Sequence, residues 1–320
     1  MSFDEVKFEK IIRQIESNDP ELVALNINLK SLTDENFSVL TTALEKNNTV
    51  LKLGLHSGVP SFACITALAN LLTTNQTITE LNLSENVFIE QSITLLAETL
   101  KNNKTLKKLN LSMTWLNLKA IIPLATMLEG NSTLEELSLG KNIFQDEGAK
   151  SLAEALQKNS GLKKLSLREN KITQIGFSFL AEALANNSTL ETLDLSNNKT
   201  NVYGAFQLLK ALRKNHSLKI LNIQNSNITA TTLGDFLKML DQFKLNTDFI
   251  LNVGEEKWAK DLRKFIKRLI DYKVKINEVT LTKTNLQAYL GTNAYNFLAS
   301  HLVTTTAEIS TQSIPQISCA

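Results

Sequence analysis

Residues 147–170 read EGAKSLAEALQKNSGLKKLSLREN, and the two halves of this stretch carry different hydrophobic periods. In the first half Leu152, Ala153 and Leu156 recur at the three-to-four-residue spacing of an amphipathic helix. In the second, Leu165 and Leu167 alternate with Lys164, Ser166 and Arg168, the pattern of a half-buried strand. One helix and one strand therefore make a unit.

The unit recurs in both directions along the chain. The frame LxxLxLxxNxL opens at Leu22, Val50, Ile78, Leu106, Leu134, Leu162, Leu190 and Leu218, every start 28 residues from the last. Seven asparagines keep the same beat: Asn47, Asn75, Asn103, Asn131, Asn159, Asn187 and Asn215. A fixed period of about 20 to 50 residues marks stacked supersecondary units, so one continuous solenoid is predicted in place of separate globular domains. Two weaker units follow, the ninth with Leu251 and Val253 facing inward and the tenth with Ile276, Val279, Leu281 and Leu286. The expectation is an array of about ten repeats over residues 22–301.

This frame, with the helical half G-A-x-x-L-A-x-A-L-x-x-N, resembles the leucine-rich repeat of the ribonuclease-inhibitor-like subtype, in which repeats are long and each carries a full helix. The resemblance covers residues 22–301. It implies an α/β horseshoe with a parallel sheet inside and helices outside. Strands stack about 4.8 Å apart and helices about 10 Å, so the strands must line the shorter, inner arc. Ten strands give an arc on the order of 43 Å, wide enough for a small folded protein. Fold of this kind says little about function, which has to be sought in particular residues.

Composition narrows the classes. Hydrophobic residues make up 43% and aromatics 6%, so aliphatic side chains carry the burial. The 34 basic and 32 acidic residues are interspersed, which gives no general field for nucleic acid. Cys64 and Cys319 form neither a CxxC nor a disulfide framework, which fits a reducing, cytoplasmic setting. The opening MSFDEVKFEKIIRQIE lacks the apolar core of a signal peptide, and no run reaches the ~18 apolar residues of a membrane span. A next-to-last Cys319 does not make a prenylation box.

Both ends of a solenoid need a cover. Phe8, Ile11, Ile12 and Ile15 give residues 1–21 one apolar helical face, and Leu290, Ala294, Phe297 and Leu298 lie on a last helix suited to the other end. Residues 302–320 are rich in Ser and Thr and have no face to bury, which predicts a flexible polar tail. The same tail, with Glu308 and Ile317, resembles the C-terminal signals of type IV secreted effectors. Together with the Asn-, Lys- and Thr-rich composition, it resembles leucine-rich repeat effectors of intracellular bacterial pathogens, which are secreted into the host cell cytosol.

Most of the repeating asparagines are expected to be scaffold. Asn86, Asn142, Asn170 and Asn198 close the turns after strands, and the seven 28-spaced asparagines close the turns after helices. Lys30, Gly58, Thr114 and Ser226 interrupt the first series.

Three surfaces are candidates for binding. The arc positions include Asn110, Lys108, Glu136, Arg168 and Asp194, without an aromatic anchor. Its charges alternate from strand to strand, as Lys107 and Lys108, Glu135 and Glu136, Lys163 and Lys164, then Glu191, so they either neutralise one another or form a polar docking strip. The tenth position of each repeat reads Val59, Val87, Trp115 and Ile143, then turns polar at Lys171, Lys199 and Asn227. It is expected to point outward along one rim, where an apolar run around a Trp is a candidate hot spot unless the loops fold back over the core. Residues 255–275 form the basic cluster EEKWAKDLRKFIKRLIDYKVK, read either as an ordinary convex helix or as a basic amphipathic helix for a membrane or acidic partner.

Enzyme motifs are absent. His56, His216 and His301 sit in different repeats, with no HExxH, P-loop or GxGxxG, and Cys64 stands where a small buried residue is usual. No catalytic residue, metal or cofactor is expected. The sequence predicts a monomeric, non-enzymatic module that binds a folded protein partner through the arc and one rim, and the effector resemblance implies a host protein as that partner. The alternative is a regulator of a GTPase, since nuclear-transport GTPase activators use a similar repeat, although their acidic tail is missing here.

Overall fold

A computed structural model describes residues 5–226 and the strand Ile250–Asn252. The expected tenth unit, the basic segment 255–275, the last helix and the tail 302–320 lie outside the described residues.

The chain begins with helix α1 (Glu5–Glu16), and strands then alternate with helices. The strands are β1 (Ala24–Asn28), β2 (Lys52–His56), β3 (Glu80–Asn82), β4 (Lys108–Asn110), β5 (Glu136–Ser138), β6 (Lys164–Ser166), β7 (Thr192–Asp194), β8 (Ile220–Asn222) and β9 (Ile250–Asn252). The helices between them are α2 (Asp34–Glu45), α3 (Phe62–Thr74), α4 (Glu90–Asn102), α5 (Leu118–Gly130), α6 (Gln145–Lys158), α7 (Gln174–Asn186) and α8 (Val202–Leu212). Among the described residues the strands form one parallel nine-stranded sheet in sequence order. Each helix from α1 to α8 packs on the next. Sheet and helices therefore make two layers of an α/β leucine-rich repeat solenoid.

Register follows the sequence beat. Leu53 pairs with Leu81, Leu81 with Leu109, and so on to Leu221, always 28 residues apart. The last step is different: Leu221 pairs with Leu251, a step of 30, which accommodates the irregular ninth unit without losing the leucine row. The paired leucines from Leu53 to Leu221 are each at most 2% exposed. Burying such a side chain contributes about 1.5–3 kcal/mol, so each leucine of the row stabilises the stack on the sheet side.

The asparagines supply the polar half of the core. Asn131, 3% exposed, donates from Nδ2 to the carbonyls of Leu100 (2.6 Å) and Asn103 (3.2 Å). Its Oδ1 accepts from the amides of Thr133 and Leu134, both at 2.8 Å. The orphan carbonyls of one helix end are thus satisfied by the residue that turns the next repeat into its strand. After the strands, Asn86 donates to Leu55 and Leu83 and accepts from the Gly58 amide. Gly58 replaces the turn Asn because a Cβ there would stand 2.5 Å from Leu29 Cβ.

At the start of the array α1 lays Phe8 and Ile15 into the core, with Ile11 and Ile12 partly buried against it. No helix among the described residues is long and apolar enough to cross a membrane.

Candidate functional site

The arc is built by residues flanking the buried leucines, which strand alternation turns away from the core. Two rows of charge run across it. In one, Glu80 bridges Lys52 (3.3 Å) and Lys108 (3.2 Å), and Glu136 bridges Lys108 (3.8 Å) and Lys164 (2.9 Å). In the other, Glu135 bridges Lys107 (3.4 Å) and Lys163 (2.8 Å), and Glu191 meets Lys219 (2.8 Å). In-register opposite charges neutralise one another, so Lys108 and Glu136 are occupied by their own neighbours.

The titration of these groups follows from the pairing. A hydrogen bond from Lys163 holds the Glu135 carboxyl below its usual range, and Lys219 does the same for Glu191. For Glu80 burial pushes upward, yet the bonds and charges of Lys108 and Lys52 outweigh it and the net shift is down. Lys108 is held above its ordinary value by its bond to Glu80, and Lys163 by its bond to Glu135.

The polar arc residues beside these rows serve the backbone. Asn110 Oδ1 accepts from the Ser112 amide at 3.0 Å, and Asp194 Oδ1 from the Ser196 amide at 2.9 Å. These are Asx turns that end the strands. Arg168 is exposed and makes no ion pair with a described residue.

The rim formed by the strand-to-helix loops has another character. Val59 is 76% exposed, Val87 45% and Trp115 69%, while Ile143 is half-buried and closes the apolar run. The loops are tied in register by main-chain bonds, the Val87 amide to the Gly58 carbonyl (2.9 Å) and the Ile143 amide to the Leu116 carbonyl (3.0 Å). Sequence periodicity missed part of this surface: Met113, Ile89, Phe62 and Leu118 are also exposed beside it, at the end of the strand turn and at helix starts. Trp115 further adopts φ 59°, a left-handed conformation that a bulky side chain rarely takes. Lys171, at the same position two repeats on, has φ 60°.

The one described cysteine is ill suited to chemistry. Cys64 is buried, its Sγ lies 3.2 Å from Asp34 Oδ1, and burial first, then the Asp34 carboxylate, push its thiol up. Asp34 itself is lowered by hydrogen bonds from Ser61 and Cys64. Among the described residues no group of three His, Cys, Asp or Glu side chains is placed to hold a metal ion.

The repeat geometry agrees with one family match. A family model described as Leucine Rich repeat matches residues 74–90, 130–153 and 186–199, segments that contain β3, β5 and β7 with their flanking asparagines. No curated protein matches the chain. Among solved structures, leiomodin-1 actin-binding site 2 aligns at 28% identity over 48% of this chain and 88% of its own, with a TM-score of 0.42. The tropomodulin C-terminal domain of Caenorhabditis elegans aligns at 19% identity over 48% of this chain and 92% of its own, with a TM-score of 0.41. The in-register leucine sheet and the asparagine turns give the chain the architecture of a leucine-rich repeat solenoid, and the matched segments fall on that repeat.

Proposed function

We propose that this chain is a non-catalytic module that holds a folded protein partner on the concave face and, above all, on the rim around Trp115. The observation that carries this reading is the cost at Trp115. Its indole is 69% exposed and its backbone sits at φ 59°, so it contributes little burial and is held in an unfavourable conformation. Strain of this kind, with an apolar neighbourhood of Val59, Val87 and Met113, is repaid when a partner covers the ring. The paired charges of the arc supply register for such a partner more than affinity.

The source of the partner is a finer matter. The Asn-, Lys- and Thr-rich composition and the polar residues 302–320 support a secreted effector acting on host proteins.

Affinity capture with the intact chain tests the binding reading. Wild type retains a protein, and Trp115→Ala weakens retention by about 30-fold, the loss expected of a central anchor, with its melting temperature unchanged. Absence of any retained protein counts against the reading. Stimulated GTP hydrolysis, lost in Arg168→Ala, would favour GTPase regulation in its place.

A further inference from the structure

The rim changes character along its length. Through repeats two to four its outward positions carry Val59, Val87, Met113 and Trp115, with one carboxylate, Glu85, and no Lys or Arg. Through repeats five to seven the corresponding positions carry, besides the half-buried Ile143, Lys141, Lys171 and Lys199 against one carboxylate, Glu169, and Arg168 stands beside them at the edge of the arc. All four cations are exposed, and none makes an ion pair with a described residue. On the arc a few residues away, the lysines of both rows are bridged to glutamates.

Backbone bonds keep this half of the rim in register too. The Lys141 amide donates to the Arg168 carbonyl at 2.7 Å, and the Lys199 amide to the Ile172 carbonyl at 2.7 Å. Gly140 lies against Arg168, close enough that a Cβ placed there would touch Arg168 Cβ at 3.7 Å. The result is a linear track along the rim, to which each repeat contributes one or two outward side chains. From Val59 to Lys199 it crosses six repeats, or about 24 Å at strand spacing, the length of about seven or eight extended residues.

We propose that this track binds an extended peptide segment whose apolar side chains cover Val87 and Trp115 and whose acidic residues meet Lys141, Arg168, Lys171 and Lys199. The inference rests on the binding reading above and names the chemistry of the partner's contact segment. A linear track favours a peptide over a lipid surface, which would engage a broad face. Unpaired cations beside an apolar strip supply orientation: aromatic and aliphatic anchors toward repeats two to four, carboxylates toward repeats five to seven. Charge complementarity also sets the partner's sign, because a basic segment would meet four like charges.

The test uses the full chain and a fluorescent synthetic peptide with Trp and Leu in its first half and glutamates in its second. Fluorescence anisotropy should show saturable binding that weakens as salt is raised. Lys171→Glu with Lys199→Glu should weaken it by about tenfold or more, and so should Trp115→Ala, while circular dichroism stays that of wild type. The same peptide with lysines for glutamates should not bind. Equal binding of both peptides, or an affinity unmoved by the charge reversal, overturns the proposal. Preferential binding to phosphatidylserine vesicles, lost on the same charge reversal, also overturns it in favour of a membrane. If no peptide binds while capture of an intact protein still depends on Trp115, the acidic-segment proposal falls and the binding module stands. If neither occurs, both fall.

Discussion

The side-chain oxygen of Asn142 accepts the amide hydrogen of Leu116, in the preceding repeat, at 3.0 Å. The same oxygen takes the Thr114 amide at 3.1 Å, so the residue between those two donors, Trp115, is turned to φ 59°. Asn142 Nδ2 meanwhile donates to the carbonyls of Leu111 and Leu139, both at 2.9 Å. Thr114 stands where other repeats have an Asn, and its hydroxyl donates to the Leu111 carbonyl at 2.6 Å in place of the side-chain amide. A buried amide thereby sets the pose of the most prominent aromatic on the rim.

Asn142→Ala should therefore act at two places. It leaves buried amides and carbonyls of two turns unpaired, a loss of about 2–5 kcal/mol in urea unfolding. It should also free Trp115, seen as a fall in tryptophan anisotropy in a Trp258→Phe background. Loss of stability with unchanged anisotropy would mean that the Trp115 pose has another support.

Trp115 itself should be dispensable to folding. Glycine tolerates a left-handed φ, whereas alanine keeps the Cβ that makes it costly. Since the indole is mostly exposed, Trp115→Gly should unfold within about 1 kcal/mol of wild type and no earlier than Trp115→Ala. Destabilisation above about 2 kcal/mol in both would assign the indole to packing.

Asp146 ties successive helices. Its Oδ1 accepts from the amides of Thr173 (2.7 Å) and Gly176 (3.0 Å), and its Oδ2 from the Thr173 hydroxyl (2.6 Å). These are orphan donors at the start of α7, capped by a side chain from the previous repeat. Asp146→Ala should cost about 1–2 kcal/mol and raise hydrogen exchange of the Thr173 and Gly176 amides ahead of global unfolding. Uniform exchange along the solenoid would contradict this local role.

Most of the fold was legible because one frame recurs: the leucines of Leu53 to Leu221 and the asparagines of Asn47 to Asn215 each have the same environment in every repeat. The alternating arc charges were legible for the same reason, since parallel in-register pairing brings residues 28 apart side by side. What the sequence hid depends on geometry between repeats. Nothing in the letters says that Ile143 is half-buried while Val59 stands 76% exposed, although both occupy the tenth position. The left-handed Trp115 was equally hidden, because it follows from a hydrogen bond to Asn142 that crosses from one repeat to the next.

The arc rows predict a pH response of definite sign. Glu80, Glu135 and Glu191 have carboxyls held below the ordinary glutamate value of about 4.5, so their pairing stabilises the fold above that value and is lost as pH falls through the lowered ones. Lys108 and Lys163 are raised above 10.5, so their share is present below that value and is lost as pH rises through the raised ones. Thermal stability should be flat between these limits and fall on both sides. Because the pairs are exposed, 1 M salt should shrink both slopes markedly. A stability maximum confined to pH 5–6 would rule the rows out as the source.

Ser92 offers a change in the opposite direction. It lies in the first turn of α4 with its side chain fully buried, and among the described residues its Oγ has no hydrogen-bond partner. Equivalent positions one repeat before and after hold Cys64 and Ala120, and Gly148 and Gly176 follow, so the site demands a small side chain but not a polar one. At Gly148 an added Cβ would come within 2.6 Å of Phe144, which shows how little room the helix start leaves. A buried, unpaired hydroxyl costs about 1–3 kcal/mol, and alanine removes it without adding volume. Ser92→Ala should raise stability by about 1 kcal/mol in urea unfolding, whereas Ser92→Val should lower it through overpacking. A loss of stability in Ser92→Ala would reveal a partner for the hydroxyl, and equal effects of both variants would show that the pocket has room to spare.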